Sequence, residues 1–544
     1  MTKILKIISI AFLALSFSGC KDINDPNFQK ALQNGHLANE GFIRCNRFVE
    51  DWLKHADPET GLIPRNLENS KDFWNAKDAA ADNYPFMVLT AAITNRELFE
   101  GRMHDMLVTE KKLTSRLGNL PDTYAFSKNG FLNEKVDTAS ILFGASEYIK
   151  DGLLPLTEWL GESPWSERMI SILDDIWYYA QVVTPYGNIP SENVELNGEM
   201  MQVLSRVYWM TGEEKYLEWA TRLADYYLLG SIHPTRDFTS LRLRDHGCEV
   251  ISGLCEVYVM VHFVAPQKKE AYKKPLNEML QRILKAGTNQ HGMFYNVINP
   301  QTGEVLNTRL ADTWGYTYNG YYSVFLLDNI EAYRNAVLTV LNNLNVYENY
   351  DWENNSADGY ADAIESALNL YAREPAAQAA EWIDSEIQIM WHMQDSAFSN
   401  RARKWTNSGV IEGWHGDGNF ARTTIMYNLW KTQGTTIEPW RKDVIYGAVY
   451  KDGKLQIVLK SEKAWKGKLK FDVPRHRVNM NLPIDYPRIN QFPEWFVAEA
   501  GKRYEVKDLQ NNTTKTYSGE QLAEGIEVHQ SNDDIAYFTV EITN

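Results

Sequence analysis

Polar and apolar positions along the chain follow one recurring pattern: a short acidic and aromatic head, then an apolar run. The clearest case is Arg309 to Leu327, R-L-A-D-T-W-G-Y-T-Y-N-G-Y-Y-S-V-F-L-L. It opens on Asp312, continues through Trp314, Tyr316, Tyr318 and Asn319, and ends apolar from Val324 to Leu327. An ordinary surface helix divides lengthwise into two faces. This one divides between its ends, as expected where only the first turns meet a cavity and protein encloses the rest. Six more stretches repeat it. Asp78 and Asp82 precede P-F-M-V-L, Asp137 precedes I-L-F-G, and Glu192 and Glu195 precede M-M-Q-V-L. Arg244-Asp245-His246-Gly-Cys-Glu249 precedes V-I-S-G-L, and Asp358 to Asp362 precedes A-I-E-S-A-L. Gly413-Trp414-His415-Gly-Asp417 leads to Met426 and Leu429. The spacing is roughly that of helical hairpins.

Amphipathic segments at 34–55, 96–113, 166–181, 213–229, 267–285, 331–344 and 375–393 alternate with these polar-headed helices. Two antiparallel layers of helices, one buried and one half-solvated, close naturally into a ring. The predicted fold is mainly α, an (α/α)6 or (α/α)7 toroid, with the acidic helix starts lining a pocket at one end. After Trp440 the pattern changes. Two strands flank the Asp452-Gly453 turn, a hairpin signal, and short strands are predicted at 468–473, 495–498, 502–506, 513–517 and 536–542. The expected division is 21–440 for the toroid and 441–544 for a small antiparallel, sandwich-like β domain.

The first twenty residues are not part of that fold. Lys3 and Lys6 precede an apolar run from Ile7 to Phe17 that is too short to span a bilayer. Phe17-Ser-Gly-Cys20 resembles a bacterial lipobox, which implies cleavage before Cys20 and lipidation of its thiol. An ordinary signal peptide is the second reading. The expectation is an exported lipoprotein, periplasmic or on the cell surface, held to a membrane at Cys20. Cys248 and Cys255 are seven apart on one predicted helix, so their α-carbons lie roughly 10 Å apart, too far for a disulfide. A bond from Cys45 to either is geometrically open; buried free thiols are the expectation.

Charge narrows the partners. The chain has 544 residues, 55 Lys+Arg and 71 Asp+Glu, for a net charge of −16. An acidic chain without a basic run is a poor nucleic-acid binder. The 29 Tyr and 17 Trp can fill a core or stack on sugar rings, so aromatic content alone decides nothing.

There is no G-x-S-x-G, H-E-x-x-H or P-loop motif, and no zinc-ligand spacing. No cofactor or metal is expected. What remains is carboxylates beside aromatics, the kit for cleaving a glycosidic bond: one acid protonates the leaving oxygen and a second carboxylate activates water or attacks. For any single acid, capping a helix N-terminus is the commoner role; repetition around one pocket raises the catalytic reading for the set. Asp245 and Glu249, read as i and i+4 on one helical face, would raise one another's pKa. With Asp312, and Glu195 behind them, they are the candidate acids and bases. Arg242, Arg244 and His246 are candidates for gripping a substrate carboxylate. The same residues could equally form a local salt bridge. Trp74, Asp78, Trp314, Tyr316, Tyr318, Asn319, Asp358, Trp414, His415 and Asp417 are candidate substrate contacts, with Asp82 and Asp137 as weaker acids.

From about Asn34 to its end the chain resembles, in architecture, the bacterial six-hairpin (α/α)-toroid glycosidases with a C-terminal β domain. Among them it resembles the β-glucuronidases of glycoside hydrolase family 154, with unsaturated glucuronyl hydrolases as near relatives. The resemblance implies an exo-acting hydrolase that removes a uronic acid from an acidic polysaccharide or glycan. Two alternatives stand beside it: a polysaccharide lyase using Tyr316, Tyr318, Asn319, His246 or His415, and a non-catalytic glycan-binding lipoprotein.

Overall fold

The structure, a computed structural model, describes residues 25–399 and 404–543. The Cys20 lipidation site and the leader fall outside them. The polar-headed stretches form the inner helices of a ring. These are Tyr84–Thr94 with a wide-turned start at Ala76–Asn83, Thr138–Glu147 continuing to Leu160, Val194–Thr211, Cys248–Val264, Trp314–Asp328, Ala357–Tyr371 and Asn419–Thr432. Each packs against the next, and the last returns to the first, so the described inner ring has seven members. Outer helices cover them: Pro26–Leu53, His104–Thr114, Pro164–Tyr178, Glu214–Leu228, Pro266–Gly287, Glu331–Leu341 and Ala377–Asp395. The fold is an α/α toroid.

The inner helices are buried nearly all round below their first turns, so the ring is filled rather than hollow. Val257 to Val261 and Ile364 to Leu370 sit in one continuous core. Neighbouring inner helices approach closely where glycines face each other. A Cβ on Gly198 would meet the Glu249 backbone at 2.4 Å, and one on Gly253 would meet the Gly198 carbonyl at 2.5 Å. No helix among the described residues is long and apolar enough to cross a membrane. Cys45, Cys248 and Cys255 are buried and unpaired.

Beyond residue 435 the chain forms two antiparallel sheets. One has five strands in the spatial order Val444–Lys451, Lys454–Ser461, Asp534–Thr543, Arg503–Asp508, Thr513–Ser518; the other has Thr436–Glu438, Trp465–Lys470 and Ile526–Gln530. The Asp452-Gly453 turn joins the first pair, with Lys451 opposite Lys454. Two strands, Thr436–Glu438 and Ile526–Gln530, lie outside those predicted from the sequence. The predicted strand at 495–498 is only a single bridge, Asp472 to Val497. The sheets share a core with Ala38 and Phe42 of the first helix.

The segment at 474–495 does not stay with the sheets. It enters the ring from the end opposite the helix starts. Arg488 pairs with Glu158 at 3.2 Å and Asp485 at 3.1 Å, Tyr486 donates to Glu256 at 2.9 Å, and Arg206 bridges Glu158 at 3.0 Å and Glu256 at 2.6 Å. These ions are buried, and each has a partner of opposite sign, the condition under which burying charge is tolerable. Spatially this segment belongs to the toroid, although in sequence it follows the 440 boundary.

Candidate active site

A cavity of about 410 Å³ opens at the N-terminal end of the inner ring, and all seven inner helices or their entry loops line it. Asp78 and Asp82 come from the first. Glu147, Lys150 and Asp151 come from the second, and Glu195 and Glu199 from the third. Asp245, His246 and Glu249 follow, then Tyr316, then Glu353, Asp358 and Asp362, then Trp414, His415, Asn419 and Arg422. A wider cleft of about 1050 Å³ lies between the helical body and the sheets. Its Glu438 is engaged by Lys470 at 2.5 Å and Arg96 at 3.2 Å. It lacks a converging set of acids, and the ring cavity is the candidate site.

Two inner helices reach it through π-helical stretches, Ala76–Asn83 and Tyr148–Leu153. The wide turn, bonded i to i+5, is a common device at functional sites. It brings Asp78 and Asp82 to the same side and also places Asp151 against them. The two stretches pack face to face, and Gly152 allows it: a Cβ there would stand 2.7 Å from Pro85 Cγ and 3.1 Å from the Ala80 carbonyl.

Asp78 and Asp82 are a pair whose environments differ. Asp78 accepts from Arg65 Nε at 2.6 Å and from the Asn75 amide. Burial works against its charge, but His415 and Arg65 outweigh it and hold its carboxyl below the usual range. Asp82 has no arginine within salt-bridge distance among the described residues; its ion-pair partner is His415. Burial, with the charges of Asp151 and Asp78, pushes it up to about 8 against the pull of His415 and Arg422. His415 lies between them, Nε2 at 3.7 Å from Asp82 and 4.0 Å from Asp78, with Nδ1 donating to the Gly416 carbonyl at 2.9 Å. Burial disfavours its charge, but the two aspartates raise its pKa to about 9. One ionised carboxylate, one neutral acid and one imidazolium thus share a corner of the cavity at neutral pH.

Asp151 faces that corner, held by Lys150 Nζ at 2.7 Å and Asn490 Nδ2 at 2.8 Å. Asn490 comes from the segment that enters the ring from below. It also accepts from Arg422 at 3.0 Å and donates its backbone N–H to Glu365 at 2.7 Å. The cavity floor is therefore completed from beyond residue 440. Arg422 pairs with Asp362 at 2.6 Å and Glu365 at 2.9 Å, and the Tyr316 hydroxyl donates to the same two acids at 2.9 Å each.

The expected site residues separate into three groups. Glu195, Asp245, His246, Glu249, Asp78, Tyr316, Asp358, Trp414 and His415 line the cavity. Trp414 is 59% exposed at its mouth, an aromatic face open to a sugar ring. Asp358 accepts from Asn419 at 2.7 Å, and burial with Asp362 and Asp417 pushes it well up.

A second group lies just behind the wall. Arg244 is taken by Glu353 at 2.8 Å and Arg242 by Asp245 at 3.5 Å, so the proposed carboxylate clamp is already paired. Asp312 is buried 3.9 Å from Arg244, and burial raises it to about 7. Asp417 is buried with one oxygen unpartnered and is likewise raised to about 7.

The third group is core. Trp74 and Trp314 are buried among apolar neighbours, the Tyr318 hydroxyl donates to the Gly292 carbonyl, and Asn319 is buried with neither amide atom partnered. These four do not reach the cavity. Asp137 caps Thr138–Glu147 at the surface through Ser140.

One geometric expectation is corrected. Asp245 and Glu249 are not i and i+4 on a helix. His246 adopts a left-handed φ of 68° and the helix starts only at Cys248. Asp245 sits in the turn before it, at the cavity rim. The enclosing walls, with Asp312 and Asp362, push its carboxyl up despite the nearby arginines Arg242 and Arg244. Glu249, lower down, is held by Lys150 at 2.9 Å and by Gln202.

The hydrophobic pattern missed Lys77, Glu147, Lys150, Asp151, Glu199, Glu353 and Arg422. For the second inner helix a signal existed: Glu147, Lys150 and Asp151 interrupt an otherwise apolar run, I-L-F-G-A-S-E-Y-I-K-D-G-L-L-P-L.

No protein-family profile matches the chain, and no curated protein matches it. Among solved structures it is similar to an inactive variant of an α-1,6-mannanase of glycoside hydrolase family 76 from Salegentibacter sp. HEL1_6, at 10% identity over 71% of this chain and 98% of that one, TM-score 0.38. A family 76 mannosidase from Bacteroides thetaiotaomicron is similar at 12% identity, 55% and 89% coverage and TM-score 0.37. An unsaturated glucuronyl hydrolase from Bacillus sp. GL1 is similar at 11% identity, 54% and 86% coverage and TM-score 0.34.

Proposed function

We propose that the chain is a glycoside hydrolase that takes the terminal sugar of an acidic glycan into the ring cavity and releases it as a uronic acid. The observation that carries the reading is the corner where Asp82, pushed up to about 8, faces Asp151, whose carboxyl Lys150 holds below the usual range against burial. Such pairs mark acid and base assignments. Asp82, neutral near pH 7, is the proton donor to the leaving oxygen. Asp151, fixed as an acceptor by Lys150 and Asn490, is the carboxylate partner. Asp78 and its arginine keep the corner's field constant rather than joining the bond exchange.

The uronate assignment rests on Lys77. It is exposed, lines the cavity and has no carboxylate within salt-bridge reach among the described residues; its ammonium lies 5.9 Å from the Phe143 ring, and its charge is felt at Asp78 and His246. A free ammonium facing a cavity suits a substrate carboxylate, a role first given to Arg242 and Arg244. A lyase is disfavoured because the Tyr316 hydroxyl lies 2.9 Å from each of two acids, Asp362 and Glu365, whose charges oppose the phenolate that would abstract a proton. A purely binding role leaves the raised Asp82 without purpose.

The test is product analysis on a panel of uronate-bearing glycans and aryl glycosides. Free uronic acid, lost by roughly 100-fold or more in Asp82→Asn with unchanged thermal stability, supports the reading. An unsaturated product, or turnover unaffected by Asp82→Asn, overturns it. Export as a lipoprotein is part of the same proposal: lipid labelling of the protein in cells is expected to vanish in Cys20→Ser.

A further inference from the structure

The wall facing the Asp78–Asp82 corner holds a cluster that the hydrolytic reading does not use. We propose that Glu147, Glu195 and His246 bind one divalent transition-metal ion, of zinc or manganese type, with Glu199 beside Glu147 behind them. The donor atoms of Glu147, Glu195 and His246 all lie within 4.8 Å of one another, as do those of Glu147, Asp151 and Glu199. Ligands about 2.0–2.2 Å from a shared ion are separated by distances of this order. Two come from different inner helices and His246 from the turn that leads into a third, which is why no ligand spacing shows in the sequence.

Two further features point to an ion. Glu199 is 1% exposed and one of its carboxylate oxygens has no hydrogen-bond partner. A buried carboxylate oxygen left without a donor is costly, and an ion held by Glu147, with which Glu199 shares a cluster, brings positive charge to its side. His246 is set up as a ligand is. Its Nδ1 faces Glu195, while Nε2 contacts the Asp245 carboxylate at 2.8 Å. A carboxylate on the far ring nitrogen is the usual means of orienting a metal-bound imidazole. Its left-handed backbone, uncommon outside glycine, turns the ring into the cavity. One imidazole with carboxylates suits zinc or manganese; calcium and magnesium favour all-oxygen sites. Lys150 already occupies Asp151 and Glu249, so Asp151 is not counted as a ligand.

The neighbouring trio of Asp78, Asp82 and His415 is the rival. Its Asp78 is already satisfied by Arg65 and Asn75. The proposal stands independently of the reaction catalysed.

The test uses the full chain, stripped with a chelator and titrated with Zn²⁺, Mn²⁺ and Ca²⁺ separately by calorimetry, with thermal midpoints in parallel. The expected result is one equivalent of Zn²⁺ or Mn²⁺ per chain, with a raised midpoint. Affinity should fall at least tenfold in His246→Ala and in Glu147→Gln. Glu199→Gln, nearly isosteric, is expected to weaken binding while keeping the fold. Asp137→Asn, at a distant surface cap, is expected to leave affinity unchanged. No stoichiometric binding, a preference for Ca²⁺ alone, or loss of binding in His415→Ala but not in His246→Ala would overturn the assignment.

Discussion

His415 sets the proton balance of the Asp78–Asp82 corner, and replacing it by glutamine, which keeps much of the shape and removes the charge, gives a signed prediction. The groups facing Asp82 are Asp78, Asp151, Arg422 and His415. Asp82 is raised to about 8 even with the imidazolium 3.7 Å away. A unit charge at about 4 Å is worth roughly 1 kcal/mol at water's dielectric and roughly 4 kcal/mol at an effective dielectric of 20. At about 1.4 kcal/mol per pH unit, removing it should lift the Asp82 pKa by about one to three units. The sign follows from the role. The protonated form is the active acid, and losing a cation disfavours the carboxylate, so the alkaline limb of kcat/KM must move to higher pH. The parallel readout is an infrared pH titration of the Asp82 carboxylic acid band, assigned by its absence in Asp82→Asn. An alkaline limb that stays in place or moves down would refute the assignment of Asp82 as proton donor under His415 control.

Lys77→Met is expected to raise KM for a uronate substrate more than tenfold while leaving a neutral aryl glycoside little changed; steady-state kinetics on both decide it. Gly152→Val should destabilise the fold by about 2 kcal/mol or more, because the added atoms meet Pro85 and the Ala80 carbonyl where the two π-helical stretches touch; urea titration measures it. Arg206→Met leaves Glu158 and Glu256 partly unpaired in the core and should cost about 3–5 kcal/mol by the same assay. Asp485 gives a pH window. Burial opposes its charge, but Arg373 and Arg488 hold it down to about 2. A depressed carboxylate contributes stability above its unfolded pKa, near 4, that is lost as pH falls toward 2. In Asp485→Asn, stability should therefore change less between pH 4 and pH 2 than in the unaltered chain.

The ring was legible because most inner helices carry an apolar run just below a polar first turn, as at Val250 to Leu254 and Val324 to Leu327, a signature of burial. Asp78, Asp245, Glu249, Asp358 and His415 were legible for the same reason, as polar residues placed where such a run begins. The deeper charges were not. Lys150 and Asp151 reach the cavity only because a π-helical stretch delays the helix by part of a turn, and periodicity of 3.6 cannot register that. The aromatics misled in the opposite direction. Trp314 and Tyr318 share their heads with Tyr316, yet only Tyr316 faces the cavity, and the one-dimensional pattern does not distinguish a ring that points inward to the core. The Asp245–Glu249 pair failed because His246 takes a left-handed backbone that a non-glycine residue rarely adopts, which postpones the helix. Asn490 was out of reach altogether: nothing local tells that a loop far along the chain will return to Asp151.

That return has a temporal consequence. A ribosome releases all fourteen helices before it makes Tyr486, Arg488 and Asn490, so the nascent barrel waits without its base. During that interval Glu158 lacks Arg488, Glu256 lacks the Tyr486 hydroxyl and Asp151 lacks the Asn490 amide, although Arg206 and Lys150 already pair with these acids. The candidate site is thus completed last, by the arrival of a strap made after the helical body.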